Sequence, residues 1–526
     1  MSKAADMAKT SVEGGFHVMW GLFVSTVISA VGAIILALVL GENNYGLYAI
    51  VLTAPNLIGL FQDLGVGMAV TRYAAQFNVE NRAAQIRGVF LLGLIFKAVL
   101  GVALSLLCLG LAPYLAVTLF QRPLLTPLIQ IVSFTILAQA LVSTATSAFT
   151  GVEKMHLNSV MVVCQSIIKT VLAPALVLLG LSLYGAVIGT TVAYLVTMLI
   201  GVFLVWTIYK NLPSSALNKQ DVIKTLKSLL KFGLPLSFSN IIGGFLTQFY
   251  AFILAIYVAN NALIGNYNVA INFLVIITLV AIPINTMLYP AFSKIDPDKE
   301  HDTFKRVFQS SVKYSTLLVI PVVAMVMALA VPAVSTIFAA NYARAPLYLA
   351  LLAINYLVIA FGEYSTSNVI NSQEQASIKL VLILVTVGVG VPLGIFAVSR
   401  YGVIGLLITL IFDGVPSTII GLIFVQRRYR ATIDWDSSGK ILLSSAVAGA
   451  FAFFTVTEIR LPSVIQLLLG VASFLFCYIG MIVLTRGINE ADLVNLREMT
   501  RGLGPVGKLV NVILVLIGKL MVALKV

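Results

Sequence analysis

The chain has 526 residues, of which 60% are hydrophobic and 10% are charged, whereas a typical soluble domain is about 45–50% apolar and about 25% charged. A mean hydropathy of +1.03 over this length indicates that lipid is the main solvent, which excludes a soluble enzyme, a disordered chain and a nucleic-acid-binding protein. The net charge of +13 fits the Lys and Arg residues that mark the cytoplasmic side of membrane proteins.

Fourteen apolar segments follow one another with short gaps, and each approaches the length of about 20 residues that a helix needs to cross a bilayer. The sequence therefore predicts an all-α polytopic membrane protein. The segments lie at about 16–40, 45–66, 86–111, 125–149, 158–180, 184–208, 230–257, 262–289, 313–337, 346–370, 378–398, 403–425, 441–457 and 463–485.

The spacing of these segments predicts the domains. An N-terminal lobe of six helices (1–209) and a C-terminal lobe of six helices (230–425) are separated by a polar cytoplasmic linker (210–229). Two extra transmembrane helices (426–485) and a cytoplasmic tail (486–526) follow. Lys and Asn recur in the tail at near-helical intervals beside a broad apolar face, which is typical of an amphipathic helix lying in the membrane interface.

The distribution of Lys and Arg predicts the orientation. With the N-terminus in the cytoplasm, 27 of the 33 basic residues lie on the cytoplasmic side and four on the opposite side. Cytoplasmic loops carry an excess of Lys and Arg, so this alternation favours fourteen crossings with both termini in the cytoplasm.

An internal repeat is predicted to relate the two lobes. Tyr45 and Tyr267 lie 222 residues apart at the starts of segments 2 and 8, and Tyr184 and Tyr401 lie 217 residues apart at the next corresponding turns. Because six helices return the chain to the same side, both lobes would run in the same direction, as in parallel-repeat transporters. The alternative is that Tyr and Gly simply favour turns at the membrane interface.

The sequence contains no recognisable constellation for catalysis. There is no Walker loop, the three His and three Cys residues are scattered without ligand spacing, and the outer loops are too short to hold a soluble active site. We therefore expect no catalytic residue, no metal, no cofactor and no enzymatic activity.

Two lysines lie deep inside apolar segments of the first lobe. Lys97 is near the centre of segment 3 and Lys169 is near the centre of segment 5, and each costs about 2.5–3.5 kcal/mol to insert at that depth. One interpretation is that they face a watery cavity and attract a phosphate or pyrophosphate headgroup. The alternatives are a structural pair with Asp63 or a side chain that snorkels to the interface.

Three acidic residues lie within segments or at their ends. Asp63 is near the end of segment 2, Glu363 is two-thirds along segment 10, and Asp413 is in the middle of segment 12. They are candidates for binding a coupling cation or proton. The alternative is that they hold helices together or anchor a helix end.

Short motifs resemble one family of membrane proteins. They are YGLY at residues 45–48, DLG at residues 63–65, RYAA at residues 72–75 and YGA at residues 184–186. In these runs and in helix count the chain resembles the polysaccharide-biosynthesis membrane proteins, that is, the O-antigen-type (Wzx-like) repeat-unit flippases. These belong to the multidrug/oligosaccharidyl-lipid/polysaccharide exporter superfamily.

The resemblance implies two six-helix lobes around a central cavity, with segments 13 and 14 as additional helices. It implies a lipid-linked oligosaccharide of the polyprenyl or dolichyl phosphate or pyrophosphate type as the cargo. Arg72 is the residue whose position after the DLG motif best matches the family pattern. We therefore group it with Lys97 and Lys169 as a predicted headgroup contact. Segments 1 and 7 contain no Asp or Glu, unlike those of many multidrug exporters, which favours an anionic cargo.

The predicted function is therefore a flippase or exporter that moves a polysaccharide repeat unit across the cell (plasma) membrane by alternating access. The expected partners are the lipid-linked sugar and membrane lipids, without nucleic acid, and the protein is expected to act as a monomer. One alternative is a cation-coupled exporter of drugs or metabolites from the same superfamily. A second is a membrane-embedded enzyme of glycan assembly.

Overall fold

The structure is a computed structural model that describes residues 3–213, 219–459, 461–500, 511–512 and 514–521. Helices joined by short turns make up this part of the chain, with no strand among the described residues. The chain divides into two compact units, Met1–Asn272 with Gly394–Leu406, and Phe273–Leu393 with Leu407–Val526. The all-α fold predicted from the sequence is confirmed.

The first unit is built from the helices of the N-terminal half of the chain. Short π-helical or 3₁₀ stretches follow α3 and α5, at Tyr114–Leu119, Pro123–Leu125 and Val177–Leu181. The helices are α1 (Lys3–Gly59), α2 (Val66–Val79), α3 (Ala83–Pro113), α4 (Thr126–Gly151), α5 (Met155–Leu176), α6 (Ser182–Lys210), α7 (Lys219–Tyr257) and α8 (Asn261–Phe273).

Small residues let the helices of the first unit pack at close range. A Cβ atom added to Gly189 of α6 would lie 2.5 Å from the Ala173 Cα of α5, and one added to Gly32 of α1 would lie 2.2 Å from the Thr170 Oγ1 of α5. Lipid tails are as apolar as Leu, so close van der Waals packing and hydrogen bonds between helices replace the hydrophobic effect as the main source of association. The contacts hold α1, α5 and α6 together.

The second unit contains the remaining helices, apart from the portion of α14 that belongs to the first unit. These are α9 (Val275–Ser293), α10 (His301–Ala328), α11 (Ala330–Phe338), α12 (Ala345–Ile354), α13 (Glu363–Ser372), α14 (Ala376–Phe412), α15 (Val415–Tyr429), α16 (Trp435–Glu458), α17 (Ser463–Leu484) and α18 (Glu490–Thr500). A 3₁₀ stretch, Asn355–Phe361, connects α12 to α13.

Nine helices in the described part of the chain are long and apolar enough to cross a membrane, and a bent pair, Ala345–Phe361 with Glu363–Ser372, makes a tenth. Three of the nine, Trp20–Gly59, Met155–Lys210 and Ala376–Tyr429, have 40, 56 and 54 residues. At about 1.5 Å per residue, each is long enough to cross a hydrocarbon core of about 30 Å twice. Multiple apolar helices of this kind make the chain a multi-pass membrane protein.

Each of these three long helices contains a glycine at which the helical backbone breaks. Gly41, Gly180 and Gly402 have φ values of 71°, 93° and 58°, and the first and last of the three lie close to the predicted ends of segments 1 and 11. Dividing the helices at these glycines gives twelve crossings, the bent pair is the thirteenth, and α7, which contains the shorter apolar stretch Ile241–Tyr257, is assigned as the fourteenth. The described helices therefore accommodate all fourteen predicted segments.

Several elements differ from the predicted segments. Segment 2 was expected to reach residue 66, but α1 ends at Gly59 and a separate helix, α2, begins at Val66. Segment 10 is bent by 59° at Gly362, whose φ is 76°. The chain also breaks within segment 12, between Phe412 and Val415. Left-handed residues and short turns cause these breaks, and mean hydropathy does not detect them.

The tail of the second unit packs on the end of the bundle. Leu514, Ile517 and Met521 are buried in a core with residues of α10, α16, α17 and α18. Lys313 of α10 donates a hydrogen bond of 2.6 Å to Asp492 of α18. Helix α18 was not predicted, because its eleven residues are too few and too polar to resemble a membrane span.

The compact units divide at a different place from the predicted lobes. The sequence places the boundary in the linker 210–229, whereas the first unit continues through α7 to Asn272. Close contacts between α1, α2 and α7 explain this division, since a Cβ atom on Gly65 would lie only 1.9 Å from the Gly233 carbonyl oxygen. The six-helix lobes therefore stay a prediction.

Candidate functional site

A cavity of about 240 Å³ lies within the first unit, lined by residues of α1, α5, α7 and α8. Lys169 is the charged side chain of its lining, and the neutral polar groups come from tyrosines, asparagines and hydroxyls. The polar residues are Ser29, Tyr45, Tyr48, Thr53, Asn56, Lys169, Thr170, Asn268 and Asn272. At about 30 Å³ per water molecule in the liquid, the cavity has room for about eight waters, comparable with a single phosphate or sugar ring.

The packing of α5 on α1 positions Lys169. Its neighbour Thr170 donates a hydrogen bond of 3.1 Å to the carbonyl oxygen of Ile28 and lies against Gly32. Lys169 itself is half-buried and forms no hydrogen bond or ion pair with any described residue. A charged amine at mid-depth is therefore left to interact with whatever fills the cavity, as expected for intramembrane ionisable groups that face a watery space.

Two stacked tyrosines form another part of the wall. The rings of Tyr45 and Tyr48 are 6.1 Å apart and inclined by 26°. Asn272 donates a hydrogen bond of 2.8 Å to the Tyr45 hydroxyl, and the Tyr48 hydroxyl lies 2.8 Å from the hydroxyl of Thr190. Aromatic faces beside hydroxyl and amide groups suit both the faces and the hydroxyls of a sugar ring.

Lys97, the other buried lysine, does not line this cavity. It is fully buried, forms an ion pair with Asp63, and donates a hydrogen bond of 3.0 Å to Ser143. Asp63 lies in the turn between α1 and α2, is 37% exposed, and also accepts a hydrogen bond of 3.1 Å from the Gly67 backbone. The geometry is that of the structural pair that the sequence left open as an alternative.

Arg72, the third predicted headgroup contact, lies on α2 outside the cavity. Its exposed guanidinium is 4.2 Å from the centre of the Phe232 ring. A guanidinium over an aromatic face contributes about 0.5–1 kcal/mol at an exposed site. Arg72 therefore helps to hold α2 against α7, and the structure does not bring it together with Lys169.

The candidate coupling residues of the second unit lie at breaks in helices. Glu363 is the first residue of α13, directly after the bend at Gly362, and it forms no hydrogen bond or ion pair with any described residue. Asp413 is the buried C-terminal cap of α14, and its N–H donates a hydrogen bond of 2.8 Å to the Thr409 carbonyl oxygen. Neither residue lies in the cavity described above.

The described part of the chain contains no cluster of side chains that could bind a metal ion. Within it, no group of three or more His, Cys, Asp or Glu residues is close enough to hold an ion. Cys108, Cys164 and Cys477 are free thiols.

Sequence reasoning missed two features of the site. Tyr45 was used only as a motif and repeat marker, although it lines the cavity. In the sequence, Arg122 is one of the four basic residues that the positive-inside pattern leaves on the outer side, together with Arg344, Arg400 and Arg460. In the structure, its guanidinium makes several hydrogen bonds to α7 and α8. Its partners are mostly backbone carbonyls, which leave no signal in the pattern of side chains.

Comparison with solved structures shows the fold. The lipid II flippase MurJ in an inward closed conformation aligns with a TM-score of 0.67 and 16% identity over 88% of this chain and 98% of that chain. An inward-facing multidrug resistance MATE family transporter of the MOP superfamily aligns with a TM-score of 0.64 and 18% identity over 77% of this chain and 94% of that chain.

A third structure is a MOP superfamily transporter from Pyrococcus furiosus, described as having a binding pocket of reverse polarity that suggests a different function. It aligns with a TM-score of 0.55 and 17% identity over 80% of this chain and 96% of that chain. At these identities the likeness concerns the fold, which is that of the MOP superfamily transporters.

Sequence comparison identifies the family. Among curated proteins, no sequence is significantly similar to this chain. The family model described as polysaccharide biosynthesis protein, however, matches residues 11–296. Since this match covers more than half of the 526 residues, the chain belongs to the polysaccharide biosynthesis protein family.

Proposed function

We propose that the chain is a flippase that moves a lipid-linked oligosaccharide, a polysaccharide repeat unit on a polyprenyl or dolichyl phosphate or pyrophosphate, across the plasma membrane. The observation that carries this proposal is Lys169, a cationic side chain in a cavity of hydroxyl and amide groups that has no hydrogen-bond or ion-pair partner among the described residues. The amine binds the phosphate, the neutral polar groups bind the first sugar, and the lipid tail stays in the bilayer.

The energetics of the headgroup support this assignment. Two opposite unit charges at 4 Å attract by roughly 4 kcal/mol at the effective dielectric constant of a protein site. A sugar phosphate loses its hydration on entering about 30 Å of hydrocarbon, and Lys169 with its polar neighbours replaces part of that hydration. With the cell interior negative, outward movement of each anionic charge gains about 2.3 kcal/mol per 100 mV.

The size of the cavity sets a condition on the mechanism. At about 240 Å³ it holds one phosphate or one sugar ring, so a whole repeat unit enters only when the cavity widens. Alternating access, in which the cavity opens first to the cytoplasm and then to the outside, provides this widening. In this proposal the chain acts as a monomer, both termini are cytoplasmic, and no enzymatic step occurs.

The solved structures that share this fold are transporters, which supports a transport role, but they differ in cargo, so the cargo has to be tested. The lipid II flippase carries a lipid-linked cargo by its name, whereas the multidrug transporter favours the alternative of a small-molecule exporter. The Pyrococcus furiosus transporter is described by the reverse polarity of its binding pocket and by the different function that this suggests, which supports testing more than one class of cargo.

The test uses vesicles containing the purified chain and a fluorescent polyprenyl pyrophosphate-linked N-acetylglucosamine, with the fluorophore on the lipid. Flipping is read from the fraction of fluorescence that dithionite quenches from outside. We expect Lys169→Met to slow flipping at least tenfold and Lys169→Arg to retain most of it. The matched control is Lys154→Met, which removes an exposed lysine next to the start of the same helix and should leave the rate unchanged.

A second substrate shows whether Lys169→Met impairs binding of the phosphate headgroup or impairs the protein as a whole. A neutral lipid glycoside without phosphate should be flipped equally by Lys169→Met and by the unaltered chain. If Lys169→Met flips the pyrophosphate-linked sugar at the rate of the unaltered chain, the headgroup role is wrong. If the unaltered chain flips neither lipid but exports a small dye down a cation gradient, the drug-exporter alternative is correct.

A further inference from the structure

Arg122 connects the turn between α3 and α4 to the end of α7. Its side chain donates five hydrogen bonds of 2.6–3.1 Å, one to the Asn261 side chain and four to backbone carbonyl oxygens. Three of those carbonyls, at residues 255, 258 and 259, lie at or just beyond the end of α7, where a helix leaves its carbonyl groups unsatisfied. A guanidinium has five N–H donors, so the contact satisfies both the arginine and the helix end.

Contacts at the start of α8 extend this connection to the break in α1. Asn266 donates a hydrogen bond of 2.9 Å to Glu42, and Asn261 donates one of 3.3 Å to Asn43. The backbones also approach closely, because a Cβ atom on Gly46 would lie 1.9 Å from the Asn261 carbonyl oxygen. We call the five polar residues of these contacts, Glu42, Asn43, Arg122, Asn261 and Asn266, the clasp.

The clasp lies directly beside one end of the cavity. Tyr45 and Tyr48 of the cavity wall follow Glu42 by three and six residues in α1, and Asn268 and Asn272 follow Asn266 by two and six residues in α8. Moving the start of α8 away from α1 would therefore open the cavity at this end. Within the first unit, that movement breaks the hydrogen bonds of the clasp.

We propose that the clasp is the extracytoplasmic gate of the cavity and that Arg122 holds it shut while the cavity is open to the cytoplasm. The inference rests on the proposed transport function of the cavity, and it adds the group that regulates the exit. Arg122 is not among the described residues that line the cavity, so its removal should change access to the cavity without changing the groups that bind cargo. In the proposed topology the turn between α3 and α4, which carries Arg122, is extracytoplasmic, as the gate requires.

The test measures access to the cavity by cysteine labelling, and transport of cargo is not part of the readout. A single cysteine, Ala49→Cys, is placed on the cavity wall in a chain whose three native cysteines are replaced by Ala. An impermeant, negatively charged methanethiosulfonate is added outside intact cells, and the rate of labelling is followed. We expect Arg122→Ala to raise that rate at least tenfold and Arg122→Lys to give an intermediate rate, because lysine keeps the charge but loses the planar fork.

The matched control is Arg400→Ala, which removes an exposed arginine of the same unit that stacks 5.5 Å from the Phe396 ring and lies outside the clasp. In the Arg400→Ala background, the cysteine at position 49 should be labelled at the same rate as in the chain that keeps both Arg122 and Arg400. Equal rates in Arg122→Ala and Arg400→Ala would overturn the proposal. Because the readout is labelling and not transport, that result would leave the proposed function of Lys169 standing, and a failure of Lys169 in the flipping assay would not change how the labelling result is interpreted.

A crosslink keeps the proposal testable if Arg122→Ala does not fold. In the cysteine-free chain, Glu42→Cys and Asn266→Cys are oxidised to join the two sides of the clasp. Flipping of the pyrophosphate-linked sugar should stop on oxidation and return on reduction. Full flipping by a chain shown to be crosslinked would overturn the proposal.

Discussion

Asp63 and Lys97 share one ion pair but differ in their exposure to solvent. The Lys97 side chain is 0% exposed, whereas that of Asp63 is 37% exposed. Breaking a buried pair is costly mainly for the charge that stays buried without a partner. The two single substitutions should therefore have unequal effects, although each removes the same interaction.

We expect Asp63→Asn to lower the free energy of unfolding by about 3–5 kcal/mol, the usual cost of stranding a buried charge. The asparagine oxygen can still accept the hydrogen bond from the Gly67 N–H, so the substitution isolates the loss of charge. Lys97→Met leaves only a partly exposed carboxylate and should cost about 1 kcal/mol or less. The measurement is the unfolding midpoint of the purified variants in detergent.

The double variant Asp63→Asn with Lys97→Met provides the control for this prediction. With both charges removed, it should be more stable than Asp63→Asn alone, because nothing charged is left buried. Equal midpoints for the two single variants, or a double variant as unstable as the sum of its parts, would contradict a buried lysine held by Asp63.

The sequence indicates how deep a residue lies in an apolar segment, but it does not indicate which way the side chain points. The sequence placed Lys97 and Lys169 deep in their helices, but depth does not reveal which face of a helix points to a cavity. The structure separates them, since Lys169 lines the cavity and Lys97 meets Asp63. Their difference depends on packing between helices far apart in sequence, which periodicity alone does not determine.

At the scale of elements, α2 meets α7 through two glycines. Gly65 has a φ of 75° and a ψ of 2°, and a Cβ atom there would lie 1.9 Å from the Gly233 carbonyl oxygen. Gly180 has a similar backbone, with a φ of 93° and a ψ of 0°, but no atom of another described residue, apart from its chain neighbours, lies within 4 Å of its added Cβ. The pair separates the cost of a left-handed backbone from the cost of a steric clash.

We expect Gly180→Ala to destabilise the chain by about 1–2 kcal/mol through left-handed strain alone. Gly65→Ala should cost about 1–3 kcal/mol more, because the methyl group meets backbone that cannot move aside without shifting α7. The midpoints of thermal unfolding in detergent, compared between the two variants, provide the measurement. Equal shifts would mean that α7 does not approach α2 as closely as the structure indicates.

Element boundaries were predictable where a break coincided with a loss of hydropathy. The ends of segments 1 and 11 lie close to Gly41 and Gly402, and that of segment 5 coincides with Gly180, where the helices do break. The bend at Gly362 was not predicted, because apolar residues continue through it and only the left-handed φ of 76° reveals it. Helix α2 was also missed, since its fourteen residues are too short to cross a membrane.

At the scale of the whole molecule, the number of crossings and their orientation are separate questions. The described helices accommodate fourteen crossings, but helix geometry is the same whichever way the chain faces. Orientation depends on the 27 basic residues assigned to one side and the four assigned to the other. The proposed clasp requires this orientation, since Arg122 closes an extracytoplasmic exit only if the turn between α3 and α4 lies outside.

Single cysteines in exposed turns test that orientation. In the cysteine-free chain, Glu80→Cys and Lys299→Cys lie in turns assigned to the cytoplasm, whereas Asn341→Cys and Arg400→Cys lie in turns assigned to the outside, and all four positions are exposed. We expect an impermeant maleimide to label positions 341 and 400 in intact cells, and positions 80 and 299 only after permeabilisation.

The pattern of labelling distinguishes an inverted chain from a miscounted one. If the pattern is reversed at all four positions, the count stands and the orientation is wrong, which would put the clasp at the cytoplasmic end of the cavity. If positions 80 and 299 label differently from each other, a crossing between them has been missed or invented, because every crossing reverses all loops that follow it. Agreement at all four positions, with α3 as the one crossing between Glu80 and Arg122, places Arg122 outside and Lys169 between the two faces of the membrane, as the flipping cycle requires.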